Sequence, residues 1–190
     1  EPTAFELLCR NGTDEMIRRH VVDVQHINEV MNVLGETRLT YSVKRGNERV
    51  VSILLERDDL DVNLRNPLSI ALYIGSIDIF KMLLKAGANP NLPCGPYDDT
   101  TLHSACELNA IYAIVDLLPL VDPRTENRLG YTPLHSACSA GRYEAAQRLL
   151  GDDRVDVNCL TTLSKRTPLH VSIKFPSIIS LLLKHGCNPN

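Results

Sequence analysis

The sequence contains no tryptophan, few other aromatic residues and little net charge. Aromatic side chains make up 5% of the 190 residues, and the formal net charge is −3. This balance does not suggest a basic surface for nucleic acid or for an anionic membrane. No apolar run approaches the roughly 20 residues that a membrane-spanning helix requires. With 44% hydrophobic residues, the sequence is typical of a soluble, near-neutral globular chain, and we predict neither a nucleic-acid partner nor membrane insertion.

The sequence also lacks the motifs that mark a catalytic site. It has no glycine-rich phosphate loop, no Gly-x-Ser-x-Gly elbow and no His-Glu-x-x-His pair. Two carboxylate runs, Asp58-Asp59 and Asp152-Asp153, lie at matching places after apolar segments, where we expect solvated loop residues. We therefore predict that the chain is not an enzyme, with no catalytic residue and no cofactor.

The sequence contains a motif, called the phrase below, that recurs at intervals of roughly 30–35 residues, a period typical of stacked repeats. Residues 130–138 read Gly-Tyr-Thr-Pro-Leu-His-Ser-Ala-Cys, and similar phrases occupy residues 100–106 and 167–172. Weaker copies begin at Asn66 and at Thr37. This spacing predicts an array in which each repeat packs against its neighbours.

Each phrase has the features of a helix start. Its threonine or asparagine can cap the first free backbone amides, and in three copies proline follows at the first helical position. Nine residues after the cap comes a residue that tolerates the left-handed conformation at a helix end. These turn residues are Gly46, Gly75, Asn109 and Gly141. A second apolar segment ending in a leucine pair follows, so the predicted repeat is helix, tight turn, helix and connecting loop.

The repeat resembles the ankyrin repeat. That family's pattern of Thr-Pro-Leu-His-x-Ala, a central Gly, a Leu-Leu pair and a final Gly-Ala-x-x-Asn is matched by residues 132–158 and in part by residues 66–91. The resemblance covers essentially the whole chain. It implies an all-α solenoid of stacked helix-turn-helix repeats whose connections form β-hairpin-like fingers. It also implies a non-catalytic scaffold for protein-protein interactions, monomeric as an isolated domain.

We expect a single ankyrin-repeat domain over residues 1–190. Its parts are a degenerate N-terminal capping repeat over 3–36, repeats over 37–65, 66–99, 100–131 and 132–166, and a final, incomplete repeat over 167–190. In the capping repeat, Gly12 lies nine residues after Thr3, and Ile17 lies at the apolar position of the second helix. The alternative is an unrelated helical extension containing residues 24–34. We also expect the chain to be a piece of a longer protein, because it lacks an initiator methionine and stops at a repeat boundary.

Some repeats depart from the regular pattern. Only two residues separate Asn63 from Asn66, whereas the resemblance implies a connection long enough for a projecting finger. We expect a shortened finger there and a step in any binding surface built from fingertips. Pro119 should end the second helix of its repeat early. In the last repeat Pro176 replaces the turn glycine, so the first helix or the turn should be shortened.

Six cysteines also require an explanation. Three of them lie six residues after the start of a repeat, at the position where other repeats carry an apolar residue. The cysteines are Cys9, Cys106 and Cys138, and the apolar equivalents are Val43, Leu72 and Ile173. We predict that these are core positions. Equivalent helices of neighbouring repeats lie ~8–10 Å apart, beyond the ~7 Å Cα limit for a disulfide. We therefore predict reduced thiols and an intracellular location, in the cytoplasm or the nucleus.

Two His-x-x-Cys pairs raise the alternative of a structural zinc site. His103 with Cys106 and His135 with Cys138 would supply two histidines and two cysteines. The resemblance implies instead that each histidine bonds groups of its own repeat turn, and His170 has no cysteine partner. We predict no metal site.

The resemblance implies that partners bind on a concave face formed by the ends of the first helices and by the fingers. The informative positions lie seven and eight residues after each repeat start. In chain order they are Arg10 and Asn11, Lys44 and Arg45, Tyr73 and Ile74, Glu107 and Leu108, Ser139 and Ala140, then Lys174 and Phe175. The fingers add Tyr97, Arg128, Leu129, Tyr131 and Arg166.

This row of residues changes along the chain from basic through apolar to small side chains. We expect a groove for an extended or helical protein segment, with an apolar anchor near Tyr73 to Leu108 and acidic partner residues toward Arg45. The alternative is that Tyr73 and Ile74 cover the apolar gap left by the shortened finger.

Two asparagines form a second kind of candidate site. Asn63 and Asn158 each end an Asp-Val-Asn segment, which resembles the sites at which an asparaginyl hydroxylase modifies ankyrin repeats. A third interpretation makes the chain a substrate-recognition or regulatory part of a larger enzyme, a ubiquitin-ligase adaptor or a channel.

Overall fold

The structure is a computed structural model that describes residues 3–189. Residues 1, 2 and 190 of the predicted 1–190 domain lie outside the described residues. Within 3–189 there are twelve helices, and the only strand-like pairings are two isolated antiparallel bridges, Val30 with Thr37 and Cys94 with Asp99. None of these helices combines the length and the apolar composition needed to cross a bilayer. The chain divides into two compact units, the first ending at Asn89 and the second beginning at Pro90.

The helices follow one another in pairs. In the first unit they are α1 (Ala4–Asn11), α2 (Asp14–Asp23), α3 (Arg38–Lys44), α4 (Glu48–Leu54), α5 (Pro67–Ile74) and α6 (Ile77–Lys85). In the second unit they are α7 (Thr101–Glu107), α8 (Ile111–Leu117), α9 (Pro133–Ser139), α10 (Tyr143–Leu150), α11 (Pro168–Val171) and α12 (Pro176–Lys184).

The predicted cap residues precede the first helix of every pair. Thr37 is the N-cap of α3 and its hydroxyl accepts a hydrogen bond from the Thr40 backbone N–H at 3.2 Å. Asn66 caps α5, and its side chain accepts from the Ser69 N–H at 3.2 Å. Proline occupies the first turn of α5, α9 and α11. The starts of α3 and α5 are therefore local in origin, because each cap satisfies an amide only three residues away.

The turn inside most pairs contains a residue in the left-handed conformation. The φ angles are 63° at Gly46, 74° at Gly75, 56° at Asn109 and 73° at Gly141. Gly12 differs, since its φ is −77°. α2 begins almost at once behind its own cap, Thr13. Gly12 is still favoured for space, since an added Cβ atom would lie 2.6 Å from the Leu8 carbonyl oxygen.

Each unit is a stack of helix pairs. In the first unit α3 packs against α5, while α4 packs against both α2 and α6. In the second unit α9 packs against α7 and α11, while α10 packs against α8 and α12. The largest completely buried side chains of the first unit include Phe5, Ile17, Leu39, Leu54 and Phe80. Those of the second unit include Leu102, Ile114 and Leu117. Within each unit the helix pairs thus contribute apolar sides to layers that neighbouring pairs share.

Residues 24–36 contain no helix. They form bends and turns that end at the bridge between Val30 and Thr37. The alternative of a helical extension over residues 24–34 is therefore wrong, and this segment is the connection between α2 and α3.

The last helix pair is distorted at its first member. α11 has only four residues, and Pro176 begins α12 rather than serving as a turn. Ile173 therefore lies beyond the helix and is 72% exposed, so its predicted core position is wrong. The prediction for Pro119 is confirmed, since α8 ends at Leu117.

Two arginines join successive helix pairs at their second helices. Arg154 donates to the carbonyl oxygens of Leu118 and Val121, at 2.7 and 3.1 Å, just beyond the C-terminus of α8. Arg57 donates to the carbonyl oxygens of Val21 and Val24, at 2.5 and 3.2 Å, where α2 ends. Free carbonyls at helix C-termini are good partners for a cation. We call Arg57 and Arg154 the arginine clamps.

Each clamp is held in place by a carboxylate from the acidic runs. The Arg57 guanidinium donates hydrogen bonds to both carboxylate oxygens of Asp59, at 2.7 and 2.6 Å. Arg154 donates to both carboxylate oxygens of Asp152 in the same way, at 2.9 and 2.7 Å. The hydrogen bonds from Arg154 lower the pKa of Asp152 to about 2. Asp58, Asp59 and Asp153 are exposed loop residues, as predicted, whereas Asp152 is half-buried. Nothing in the sequence indicated that Asp59 and Asp152 would each pair with an arginine.

In the second unit a buried histidine links the starts of α7 and α9 to the connection that follows each helix pair. The His103 Nδ1 accepts from the Thr100 backbone N–H at 3.2 Å, so its Nε2 carries the proton and donates to the Tyr131 carbonyl at 2.9 Å. His135 repeats the arrangement with Thr132 at 3.3 Å and the Arg166 carbonyl at 3.0 Å. Burial lowers the pKa of both histidines, although the backbone partners oppose the shift.

Replacing Arg154 by alanine should lower the urea midpoint of unfolding, because the carbonyls at the end of α8 lose their donors. The matched control is Arg124→Ala, since Arg124 makes the same two-oxygen contact with Asp122 and no bond to a helix-end carbonyl within residues 3–189. Urea titrations followed by circular dichroism measure both midpoints. Equal midpoints for the two variants would show that the clamp contributes nothing to stability.

Acidification should destabilise the second unit through His103 and His135. Free histidine titrates near pH ~6.5, and both folded pKa values are lowered. The neutral rings therefore contribute stability that is complete above that pH and is lost as the pH falls below it. Thermal unfolding of wild type across this range should show the loss, and the His103→Gln, His135→Gln variant should have a flatter profile.

The control for this pH series is His170→Gln, because His170 makes the same contact with its cap, Thr167, but is exposed. This variant should keep the wild-type pH profile. A double variant that loses as much stability on acidification as wild type would contradict the assignment to the buried histidines.

Candidate protein-binding surface

The predicted row of the first unit begins with basic residues at the ends of α1 and α3. Arg10 lies in the last turn of α1 and is exposed. Lys44 ends α3, and its Nζ lies 2.7 Å from a carboxylate oxygen of Glu36. The Arg45 guanidinium lies 5.3 Å from the centroid of the Tyr41 ring, within the range of a cation-π contact. Lys44 and Arg45 are thus each in contact with a neighbouring side chain.

Tyr73 and Ile74 are the last two residues of α5. Ala71 and Leu72, just before them on the same helix, are buried, whereas Tyr73 is 56% exposed and Ile74 is 43% exposed. The helix therefore turns two large apolar side chains toward solvent at the end where Gly75 starts the turn to α6.

In the second unit the row is less basic. Glu107 ends α7 and Leu108 follows as its C-cap, 44% exposed. The Ser139 hydroxyl, at the end of α9, donates to the Ser136 carbonyl, and Ala140 is half-buried beside it. Leu108 is thus the large apolar group that this row exposes.

The last two positions of the row follow the shortened helix α11. Lys174 is exposed and Phe175 is half-buried. The Phe175 ring packs against Gly141, where an added Cβ atom would lie 2.5 Å from a ring carbon. Phe175 is therefore occupied in packing against the preceding helix pair.

The structure brings two predicted finger residues together. The Arg128 N–H donates to the Tyr97 carbonyl at 2.8 Å, and the Arg128 guanidinium lies 2.5 Å from the Asp98 carboxylate. Tyr97 is 48% exposed and Leu129 is 39% exposed. Neighbouring connections therefore pair through backbone and side chain, and both leave apolar groups in contact with solvent.

Tyr131 and Arg166, two further predicted finger residues, also bond the buried histidines through their backbone carbonyls. Their carbonyls accept from the two buried histidines, as described above, and the Tyr131 ring centroid lies 5.5 Å from that of His135. Tyr131 is half-buried, whereas Arg166 is exposed.

The buried histidines and cysteines of the first helices are engaged within the protein. Both ring nitrogens of His103 and of His135 bond protein groups, and residues 3–189 contain no cluster of three His, Cys, Asp or Glu side chains that could hold a metal. All six cysteines are free thiols. Burial raises the pKa of Cys9 to about 11 and that of Cys138 to about 12. These thiols are therefore protonated near neutral pH and lack nucleophilic character.

Sequence reasoning did not identify an exposed apolar site in the connection between α2 and α3. Val33 is fully exposed there and Leu34 is 75% exposed. The signal was present in the sequence, since these two apolar residues precede Gly35 in a finger whose neighbour is predicted to be short.

The comparisons with known proteins agree with the arrangement of helix pairs. The family model for ankyrin repeats (three copies) matches residues 5–94 and 97–190 of this chain. The ankyrin-repeat domain of Bcl-3 has a TM-score of 0.73 and 28% sequence identity, with 81% of this chain and 73% of that chain covered.

Two curated relatives are much longer proteins. The human SMC5-SMC6 complex localization factor protein 1 is 36% identical over 92 residues, which are 46% of this chain and 9% of that protein. The Drosophila melanogaster transient receptor potential channel pyrexia is 34% identical over 178 residues, which are 87% of this chain and 18% of that protein. The chain thus spans less than a fifth of either relative. Because the family match extends over nearly all of its residues, the chain belongs to the ankyrin repeats, which are generally protein-protein interaction modules.

Proposed function

We propose that the chain is a non-catalytic interaction module that binds a protein segment through the ends of its first helices and through its fingers. The observation that carries the proposal is the exposure of Tyr73 and Ile74 in the first unit and of Leu108 in the second. Tyr73 and Ile74 follow the buried Ala71 and Leu72 of α5, and Leu108 follows α7, of which residues 101–106 are buried.

The energetics favour these residues as anchors. Aromatic residues and arginine supply much of the binding energy in protein interfaces, and they act by losing contact with water when a partner covers them. Tyr73 and Ile74 can bury a large apolar area on binding, because about half of each side chain is now exposed. Arg10 and Arg45, at the ends of α1 and α3, would attract a partner segment that carries carboxylates.

The alternative is that the chain serves a larger protein as its recognition or regulatory part. The two relatives described above are a localization factor and a channel, and this chain corresponds to only 9% and 18% of them. An enzyme, a ubiquitin-ligase adaptor or a channel could each carry such a module, and the fold alone does not decide between them.

Removing the exposed apolar groups should abolish partner capture without unfolding the chain. We would compare pull-downs from cell lysate with wild type and with the Tyr73→Ala, Leu108→Ala variant, after circular dichroism shows that both are folded. We expect a specific partner to be recovered by wild type and lost from the variant, because each unit has lost an exposed apolar group that a partner would cover.

The matched control is Tyr143→Ala, Leu183→Ala, which removes an exposed aromatic and an exposed leucine from the second helices α10 and α12. It should recover the partner as wild type does. Equal recovery by wild type and by the Tyr73→Ala, Leu108→Ala variant would show that the site lies away from the helix ends and that Tyr73 is a packing residue.

We also propose Asn63 and Asn158 as sites of hydroxylation. The Asn63 side-chain oxygen accepts from the Asn89 N–H at 2.7 Å, and that of Asn158 accepts from the Asn188 N–H at 2.8 Å. Each therefore links its own loop to the equivalent loop of the next repeat. Their matching position and half-buried state support treating them alike.

Hydroxylation is checked by peptide mass spectrometry of the chain isolated from cells. We expect peptides containing Asn63 or Asn158 to carry the mass of one additional oxygen atom, because both asparagines stand in the same Asp-Val-Asn context. The Asn63→Ala, Asn158→Ala variant, which cannot be modified there, is the control. If the peptides containing Asn63 and Asn158 are unmodified in every cell type tested, this proposal is wrong.

A further inference from the structure

The first finger, residues 30–37, ends in an exposed apolar tip. Its two sides are joined by the bridge between Val30 and Thr37, and the Met31 N–H donates to the Glu36 carbonyl at 2.7 Å. The tip consists of Val33 and Leu34, fully and 75% exposed respectively. No other connection within residues 3–89 presents two adjacent apolar side chains so completely to solvent.

The tip is held in a defined conformation. The Asn32 side-chain oxygen accepts from the N–H groups of Leu34 and Glu36, at 3.1 and 3.2 Å, while its amide donates to the Glu36 carboxylate at 2.8 Å. Gly35 supplies the left-handed residue of the turn, with φ at 74°. A partner would therefore meet a preformed surface and would not have to order it.

The second unit contains a finger built in the same way. Asn127 lies five residues before the cap Thr132, as Asn32 lies five residues before Thr37. Its side-chain oxygen accepts from the N–H groups of Leu129 and Tyr131, at 2.9 and 3.0 Å. This finger is paired with its predecessor, because the Arg128 N–H donates to the Tyr97 carbonyl and the Arg128 guanidinium contacts Asp98.

The first finger lacks such a neighbour within its own unit. The next connection, residues 55–66 between α4 and α5, has only a tight turn at 63–66 in place of a finger, too short to project. The Leu34 carbonyl corresponds in position to the Tyr97 carbonyl, since each lies three residues before its cap threonine. It accepts no hydrogen bond from any residue that the structure describes.

The short connection covers the base of the first finger but not its tip. The Asn28 side chain donates to the Asp59 carbonyl and accepts from the Asp61 N–H, both at 2.8 Å. Arg65 of this connection lies beside Gly35, with a guanidinium nitrogen 3.7 Å from the position of an added Cβ atom. Arg65 is exposed and forms no ion pair with the described part of the chain.

We infer that Val33, Leu34 and Arg65 form a docking site for an extended segment of a partner protein, which takes the place of the missing finger. A backbone N–H of the segment donates to the Leu34 carbonyl, in the manner of strand addition. An apolar side chain packs on Val33 and Leu34, and a neighbouring carboxylate pairs with Arg65. The inference rests on the proposed function and names the chemistry of the partner.

The test is a selection of random phage-displayed dodecapeptides against the wild-type chain. We expect enriched peptides to place Asp or Glu next to Leu, Ile, Val or Phe. Their affinity should fall by roughly tenfold or more for Val33→Ser, Leu34→Ser and for Arg65→Glu, equivalent to ~1.4 kcal/mol or more.

The matched controls are Val22→Ser and Arg19→Glu, which alter exposed residues of the same unit on α2. Both should keep wild-type affinity. As a further variant, the five-residue segment 127–131 is inserted between Arg65 and Asn66. The added finger should occupy the site and weaken peptide binding by roughly tenfold, although Val33, Leu34 and Arg65 are unchanged.

The outcomes separate this inference from the proposed function. No enrichment, or enriched peptides without the acidic and apolar pattern, would overturn the inference. So would peptides that bind the Val33→Ser, Leu34→Ser and Arg65→Glu variants within about twofold of wild type. If peptides that still bind these variants lose binding to the Tyr73→Ala, Leu108→Ala variant, the proposed function stands and the fingertip site fails. Peptides that bind all these variants equally contradict both.

Discussion

The hydrogen bond from each buried histidine to the following connection is the interaction on which the second unit depends. The cap N–H occupies Nδ1, so Nε2 must donate, and the carbonyls of Tyr131 and Arg166 are the acceptors. One side chain thereby fixes where a helix begins and where the next finger ends. Because the ring is buried, breaking the bond would leave an unpaired polar group inside the protein.

In the described part of the first unit no histidine links the start of a first helix to the following connection. Thr40 and Ser69 occupy the histidine position, and their hydroxyls bond only the local cap, at 2.9 Å to the Thr37 N–H and 3.0 Å to the Asn66 carbonyl. Neither is long enough to reach a connection. Asn28 and Asn32 hold the first finger instead, so a rigid tip survives beside a connection too short to cover it.

The local parts of this fold could be predicted from the sequence, because caps and turns act within a few residues. The N-cap threonines and the left-handed Gly46, Gly75 and Gly141 are examples. Ile173 was misplaced because the repeat spacing was applied through a helix that Pro176 had shortened. Periodicity predicts a residue's burial only where the helix persists.

The remaining features depend on contacts between distant residues. Arg154 reaches carbonyls more than 30 residues away, and no motif specifies a backbone acceptor. The exposure of Val33 and Leu34 depends on what is missing from the next connection. The predicted row of binding residues could be located on the helix ends, but whether a partner binds there is a property of that partner as well as of this chain.

The most direct test of the interaction scaffold is hydrogen exchange of the backbone amides, measured by mass spectrometry with and without a captured partner. We predict that binding protects the fingers and the ends of the first helices, including residues 31–35 and 72–76, and leaves the second helices α4, α6, α8 and α10 unchanged. Protection confined to those second helices would contradict the account, because the partner would then lie on the opposite side of each helix pair.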